Sequence, residues 1–224
     1  DGDTVVVEDG VYKESVMLSP GGVLKGRTLL GAEIRGRGRD PAITMATNSQ
    51  VVGVVVKGGS VGIVSRGRGN RIARCRISNN DRTGVMCVGQ LPSIEDNIIA
   101  FNNGSGLQGR DVRSGDGAVR HNTIAYNQGH GISLGGSSNI LVEYNIIAFN
   151  GKADVYVESE SSRCDLKNNN LYRNGRSVPS LGNGNISANP QFVAPRRLNF
   201  RLEEGSPCVR AAEGTSDLGA RLGE

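Results

Sequence analysis

The side chains in this sequence that could do chemistry are few and widely spaced. Only two histidines occur in 224 residues, and one of them stands between glycines in Gly129-His-Gly131. Arg110 is followed directly by Asp111 and soon after by Asp116, a cation beside two carboxylates. Lys152 precedes an alternating stretch, Asp154-Val-Tyr-Val-Glu158, and Arg66, Arg82 and Gln108 lie upstream. Guanidinium and ammonium groups pair with carboxylates, histidine and carboxylates move protons, and a tyrosine ring can stack on a sugar. Such a set suits an acidic polymer, provided that something brings it onto one surface.

Composition bounds what that something is. Glycine, at 33 residues, is about twice its usual share of roughly 7%, whereas aromatic residues reach 4% and tryptophan is absent. Such a chain turns often and packs an aliphatic core. Hydrophobic residues at 37% and charged residues at 21% fit neither a disordered nor a membrane-embedded chain, and no apolar run approaches the roughly 18 residues of a spanning helix. The formal charge is +4. The opening Asp1-Gly-Asp-Thr4 has no basic-then-apolar leader, so the protein is either cytoplasmic or extracellular or periplasmic with its signal removed. Cys75, Cys87, Cys164 and Cys208 form no Cys-x-x-Cys pair and carry no zinc signature. There is no phosphate loop or nucleophile–base motif, and the aromatic platforms of single-strand nucleic-acid binders are missing. Neither nucleic acid nor membrane is expected as a partner.

A repeat supplies the missing scaffold. Asn97-Ile-Ile-Ala-Phe-Asn102, Asn122-Thr-Ile-Ala-Tyr-Asn127 and Asn145-Ile-Ile-Ala-Phe-Asn150 are nearly one hexapeptide, with looser copies at Cys75-Arg-Ile-Ser-Asn-Asn80 and Asn169-Asn-Leu-Tyr-Arg-Asn174. The last asparagines step by 22 (80 to 102), 25 (102 to 127), 23 (127 to 150) and 24 (150 to 174) residues. Each unit holds three short period-two runs separated by Gly, Ser and Asn, which predicts three strands and leaves no room for a helix. One such coil buries nothing; stacked coils share a core. The expectation is an all-β, right-handed single-stranded parallel β-helix with coils of about 22–25 residues. Residues 1–60 form less regular coils, 61–175 regular coils and 176–224 an irregular tail, all within a single domain of residues 1–224.

Reading down the columns, Ile77, Ile99, Ile124, Ile147 and Leu171 stack as an inward ladder, with Phe101, Tyr126 and Phe149 as an inward aromatic ladder two residues on. Asn97, Asn122, Asn145 and Asn169 form a column at a sharp turn, where asparagine tolerates left-handed backbone and its amide bonds the next asparagine. The proline-rich tail is expected to cover the open C-terminal edge.

These residues resemble the pectin-lyase-like superfamily. Gly2-Asp-Thr-Val-Val-Val-Glu-Asp-Gly-Val-Tyr12 is similar to its first coil, and Asn189-Pro-Gln-Phe192 with Phe200-Arg-Leu-Glu-Glu-Gly-Ser-Pro207 resembles the tail of bacterial extracellular members. The resemblance implies a helix capping the N-terminal end, yet this chain starts in strand; either residues are missing or something else covers that edge, a homodimer through the uncapped end being one expected solution. It also implies that substrate lies along one sheet and the turns preceding it. Those strands would start at Gly62, Gly84, Gly106, Gly131 and Asp154. Val64, Met86, Gln108, Ser133 and Tyr156 then point outward in one row, and Arg66, Val88, Arg110, Gly135 and Glu158 in the next. Arg82, His130 and Lys152 come from the adjoining turns.

Acidic-polysaccharide lyases of that superfamily abstract the proton beside a uronate carboxylate with Arg or Lys, often with calcium. The resemblance therefore implies Arg110 as catalytic, assisted by His130 or Tyr156. Arg66, Arg82, Gln108, Lys152, Asp154 and Glu158 would bind substrate, and Asp111 and Asp116 calcium. Gly129-His-Gly131 is similar to a polygalacturonase segment, but the coil before it offers Ser105 and Gly106 where that family has aspartates, so the paired carboxylates of hydrolysis are missing. Two functions follow: binding with cleavage or epimerisation of a pectate- or alginate-like polysaccharide, or a non-catalytic module for carbohydrate binding, adhesion or assembly.

Overall fold

The computed structural model describes residues 2–113, 117–136, 140–158, 164–175, 183–212 and 216–222. Through them the chain winds as a parallel solenoid of about seven turns with three sheets and, among the described residues, no α-helix. Sheet 1 contains Thr4–Val7, Val23–Gly26, Gln50–Val52, Arg71–Ala73, Ser93–Glu95, Val119–Arg120, Ile140–Glu143 and Cys164–Lys167. Sheet 2 contains Gly10–Tyr12, Ala32–Arg35, Val55–Lys57, Arg76–Ser78, Ile98–Ala100, Thr123–Ala125, Ile146–Ala148 and Asn170–Tyr172. Sheet 3 contains Val16–Leu18, Ile43–Met45, Ile63–Gly67, Val85–Gln90, Leu107–Arg113, Ile132–Gly135 and Val155–Val157.

The predicted inward ladder is real: Ile77 pairs with Ile99, Ile99 with Ile124, Ile124 with Ile147 and Ile147 with Leu171, all buried. Ile72, Ile94, Val119 and Val142 from sheet 1 and Ile63, Val85, Leu107 and Ile132 from sheet 3 complete one continuous core. Each such side chain contributes roughly 1.5–3 kcal/mol by leaving water. The stacking is equally regular upstream, where the repeat fades from the sequence. Val5 pairs with Leu24, Leu24 with Val51 and Val51 with Ile72, steps of 19, 27 and 21 residues. Turns of unequal length hide the period while the strands keep register.

Two asparagine ladders run through the turns. In one, the Nδ2 groups of Asn97, Asn122 and Asn145 donate to Oδ1 of Asn122, Asn145 and Asn169 at 3.0, 3.0 and 2.9 Å, and Asn169 continues to Asn185 at 3.0 Å. In the other, Asn80, Asn102, Asn127 and Asn150 each donate to the next, ending at Asn174. The left-handed residue is the one before each rung, not the asparagine itself: Asp96, His121, Tyr144 and Asn168 in one ladder, Asn79, Phe101, Tyr126, Phe149 and Arg173 in the other. Left-handed backbone costs an L-residue roughly 1–2 kcal/mol, which the buried amide chain offsets.

That conformation also overturns the inward aromatic ladder. A left-handed residue breaks the period-two alternation, so Phe101, Tyr126 and Phe149 turn outward. They stack on one another at 5.2 and 4.9 Å, with Phe200 over Phe101 and Tyr126. The tail therefore does two things. Its first part covers the C-terminal edge, with Asn168 N–H donating to Asn183 O and Leu171 N–H to Ile186 O. The remainder runs back along the outside of sheet 2, where Phe192, Phe200, Cys208 and Leu218 pack on Ile98, Ala100, Ala125, Ile146 and Ala148.

Asp154 is a second departure. It is 1% exposed and accepts from the Asn174 amide, so it does not present its carboxylate to a substrate. In earlier coils the same place is glycine, and a Cβ built on Gly62, Gly84, Gly106 or Gly131 would meet the amide nitrogen of the ladder asparagine. The aspartate side chain is thus aimed at the ladder by the backbone. Asp154→Ala should cost about 1–3 kcal/mol, seen as a shifted midpoint in denaturant; an unchanged midpoint would show that the end of the ladder is dispensable.

Candidate functional site

Sheet 3 and the turns before it carry the predicted residues. The row Val64, Met86, Gln108, Ser133 and Tyr156 is in register from strand to strand, as are Arg66, Val88, Arg110 and Gly135. The two ends of this face differ. Met17 and Thr44 extend the first row toward the N-terminus, and Arg66 helps line an apolar hollow with Met17, Leu18, Pro20 and Met45. Val64 is buried although its position alternates outward. Toward the C-terminus the row becomes polar.

The C-terminal end gathers three of the predicted side chains. The His130 and Tyr156 rings stack at 4.6 Å with 20° between their planes, and Tyr156 is 43% exposed. Lys152 is close enough to His130 to act, with burial as the larger cause, in holding the imidazole pKa below its ordinary value. Stacking of successive turns explains the grouping: Lys152 N–H donates to Gly129 O and Gly131 N–H to Ala153 O. Gly104 N–H reaches Arg82 O and Gly129 N–H reaches Gly104 O, so exposed Arg82 and Lys152 end one column whose two middle positions are glycines.

His130 is fixed on both sides. Its backbone N–H donates to Ser105 Oγ at 3.2 Å, and its Nδ1 accepts from Ala153 N–H at 3.2 Å. A neutral imidazole that accepts at Nδ1 carries its proton on Nε2, so His130 offers a donor and not a free base. Ser105 is the positioning residue that sequence reasoning passed over. Its signal was present in the repeat, because Asn103-Gly-Ser-Gly106 and Gln128-Gly-His-Gly131 are successive versions of one turn.

The unfolded chain takes up the His130 proton at a higher pH than the folded one. Stability from this residue is complete above the ordinary histidine pKa of about 6.5 and is lost as pH falls below it. The melting temperature should drop more for the wild type than for His130→Gln on acidification from about pH 7.5 to 5. Equal drops would contradict the assignment.

Arg110 does not join that cluster. It pairs with Gly135, one coil before and two residues beyond the Ser133–Tyr156 pair, which sets its Cα about 12 Å from that of Tyr156. Arg110 and Asp111 are both exposed. Asp111 lies over Gly136 and Glu158 over Gly135, so carboxylates flank this second stretch of the face. Asp116 lies outside the described residues, and among the described residues no group of three or more His, Cys, Asp or Glu is placed to hold a metal. Gln108 receives a long hydrogen bond, 3.4 Å, from Thr83 Oγ1. Burial disfavours the thiolate at all four cysteines, pushing Cys75 and Cys208 up to about 11 and Cys164 to about 12, and raising Cys87 as well.

Known proteins share this architecture. The periplasmic alginate epimerase AlgG superposes with a TM-score of 0.62 at 18% identity, over 82% of this chain and 49% of that one. A mannuronic acid specific polysaccharide family 6 lyase from human gut microbiota gives 0.56 at 19% identity, over 77% and 49%. The A-module of the Azotobacter vinelandii mannuronan C-5 epimerase AlgE6 gives 0.52 at 18%, over 83% and 58%. At such identities the likeness is one of fold, and the chain spans about half the length of these proteins. No curated protein matches the sequence. The family described as right handed beta helix region matches residues 41–192, and with three parallel sheets stacked through two asparagine ladders the chain belongs to that family.

Proposed function

We propose that the outer face of sheet 3 binds an acidic polysaccharide. The observation that carries this reading is the exposed Tyr156 ring, backed by His130 at 4.6 Å, with Lys152 close enough to act on that imidazole. The ring supplies a flat apolar platform for a sugar, Lys152 a cation for its carboxylate and His130 Nε2 a hydrogen-bond donor. Arg110, about 12 Å away, addresses a neighbouring sugar of the same chain, and Arg82 extends the cationic edge. The similarity in fold to an alginate epimerase and a mannuronic acid specific lyase supports a uronate polymer, while the choice of face rests on the residues of this chain.

A second reading, turnover of lyase or epimerase type, is favoured by the same cluster. A cation on the carboxylate acidifies the adjacent C–H, and the Tyr156 oxygen, acting as the phenolate, takes up that proton and becomes the phenol. Return of a proton from water to the opposite face gives the epimer; departure of the neighbouring glycosidic oxygen, which takes a proton and leaves as a hydroxyl, gives cleavage and a double bond.

A panel of alginate, polygalacturonate, a glycosaminoglycan and neutral dextran, each with and without calcium, tests both. Saturable binding to an acidic polymer, weakened by salt as exposed charge pairs are, is expected, with none to dextran. Absence of binding to every acidic polymer would remove the proposal. Ultraviolet-absorbing unsaturated ends, or solvent deuterium at the sugar carbon, would establish turnover, and calcium dependence would implicate Asp111.

A further inference from the structure

A different face of the molecule carries a cavity that the polysaccharide reading does not use. The outward column of sheet 2 runs Glu33, Val55, Arg76, Ile98, Thr123 and Ile146 in register. The returning tail covers this column from Ile98 onward. Between tail and sheet lies a cleft of about 410 Å³ whose walls include Ile98, Leu198, Phe200, Leu202 and Leu222, with Arg76 among them. That volume falls in the range of roughly 300–1,000 Å³ that accommodates small ligands.

Arg76 is the group that fits nothing else. Its Nε is buried and has no hydrogen-bond partner among the described residues. Glu33, the acid on the same column, lies two strands away, roughly 10 Å, and is held by Arg35 and by Lys57, the latter at 2.7 Å. Burial lowers the Arg76 pKa, with the Glu33 charge opposing. The cleft's other charges include Arg221, which pairs with Asp96 at 2.8 Å, and Asp217, whose Oδ1 accepts from Arg210 N–H at 2.8 Å. A buried N–H without an acceptor is costly, and Arg76, itself half-buried, brings its guanidinium to the wall of a cleft lined by both apolar and polar side chains, a setting that suits an anion with an apolar body.

We infer that this cleft binds an aliphatic monocarboxylate, with its carboxylate on the Arg76 guanidinium and its chain among Leu198, Phe200 and Leu222. The site is independent of sheet 3.

Calorimetric titration of the full chain with decanoate and with decanol tests the assignment, alongside Arg76→Gln, Arg76→Lys and Leu222→Asp. Decanoate should bind saturably and raise the melting temperature, as a ligand of the native state does. Decanol on the wild type, and decanoate on Arg76→Gln, should bind at least about tenfold more weakly, the loss expected for a charge-assisted hydrogen bond. Arg76→Lys should be intermediate and Leu222→Asp should lose decanoate. No saturable binding, equal affinity for acid and alcohol, or undiminished affinity in Arg76→Gln or Leu222→Asp would overturn the inference. The lysine and Leu222 variants decide the matter if Arg76→Gln fails to fold.

Discussion

Asn122→Ala should destabilise the chain by about 3–5 kcal/mol, which for a domain of this size lowers the melting temperature by about 10 °C. Asn122 is fully buried and sits in mid-ladder. Its Oδ1 accepts from both the backbone and the side-chain amide of Asn97 at 3.0 Å. Its own amide donates to Ile94 O and Arg120 O at 2.8 Å and to Asn145 Oδ1 at 3.0 Å. Truncation removes all of these at once, leaving buried donors and a carbonyl where water does not reach. Each unpaired buried group costs about 1–3 kcal/mol, so the amide's hydrogen bonds dominate the effect. Asn103→Ala is the control, since Asn103 is exposed and its side chain accepts from Gln128 at the surface; it should change stability by no more than about 0.5 kcal/mol. A denaturant titration that places the two variants together would show that the asparagine columns follow the turns without stabilising them.

Tyr156→Ala should weaken binding of the acidic polysaccharide by about thirtyfold, or about 2 kcal/mol, the loss typical of an exposed aromatic anchor. The ring is 43% exposed and stacks on His130, so its removal takes away the platform while leaving the core intact. Tyr156→Phe separates the two readings of the site. It keeps the ring and should retain most of the affinity, whereas it lacks the phenolic oxygen and should abolish any turnover. Isothermal titration with the preferred polymer, read with ultraviolet absorbance for unsaturated products, measures both. Undiminished affinity in Tyr156→Ala would move the binding face elsewhere, toward Arg110 and the carboxylates over Gly135 and Gly136.

Much of this arrangement is legible in the order of the residues. The Asn-Ile-Ile-Ala-Phe-Asn copies recur at nearly constant spacing, and spacing of that kind translates directly into strand register, because a coil can stack only if its apolar positions fall above those of the last. The outward rows on sheet 3 follow from the same arithmetic. Upstream of Ile63 the unequal turn lengths remove the period, although parallel pairing continues back to Thr4. The chain is thus regular where the sequence looks irregular.

The departures share one physical origin. Alternation predicts direction only while every residue is extended, and the coils are joined by single left-handed residues that reverse it. Phe101, Tyr126 and Phe149 turn outward for that reason, and Asp154 turns toward the ladder because it replaces a glycine at a corner. Neither fact is written in residue type. The path of the tail along sheet 2 is also beyond the sequence, since covering the open edge and covering the outward Ile98 and Ile146 compete for the same segment, and only packing decides how it is shared.

The sequence by itself therefore determined the solenoid, its register and the face on which sheet 3 gathers cations and an aromatic ring, because each of these depends on periodicity along the chain. The tertiary structure alone decided which candidates meet. It set His130 against Tyr156 with its Nδ1 held by Ala153, left Arg110 about 12 Å away, buried Asp154 and formed the cleft around Arg76, because the meeting of side chains from different coils depends on turn conformation and on where the tail returns.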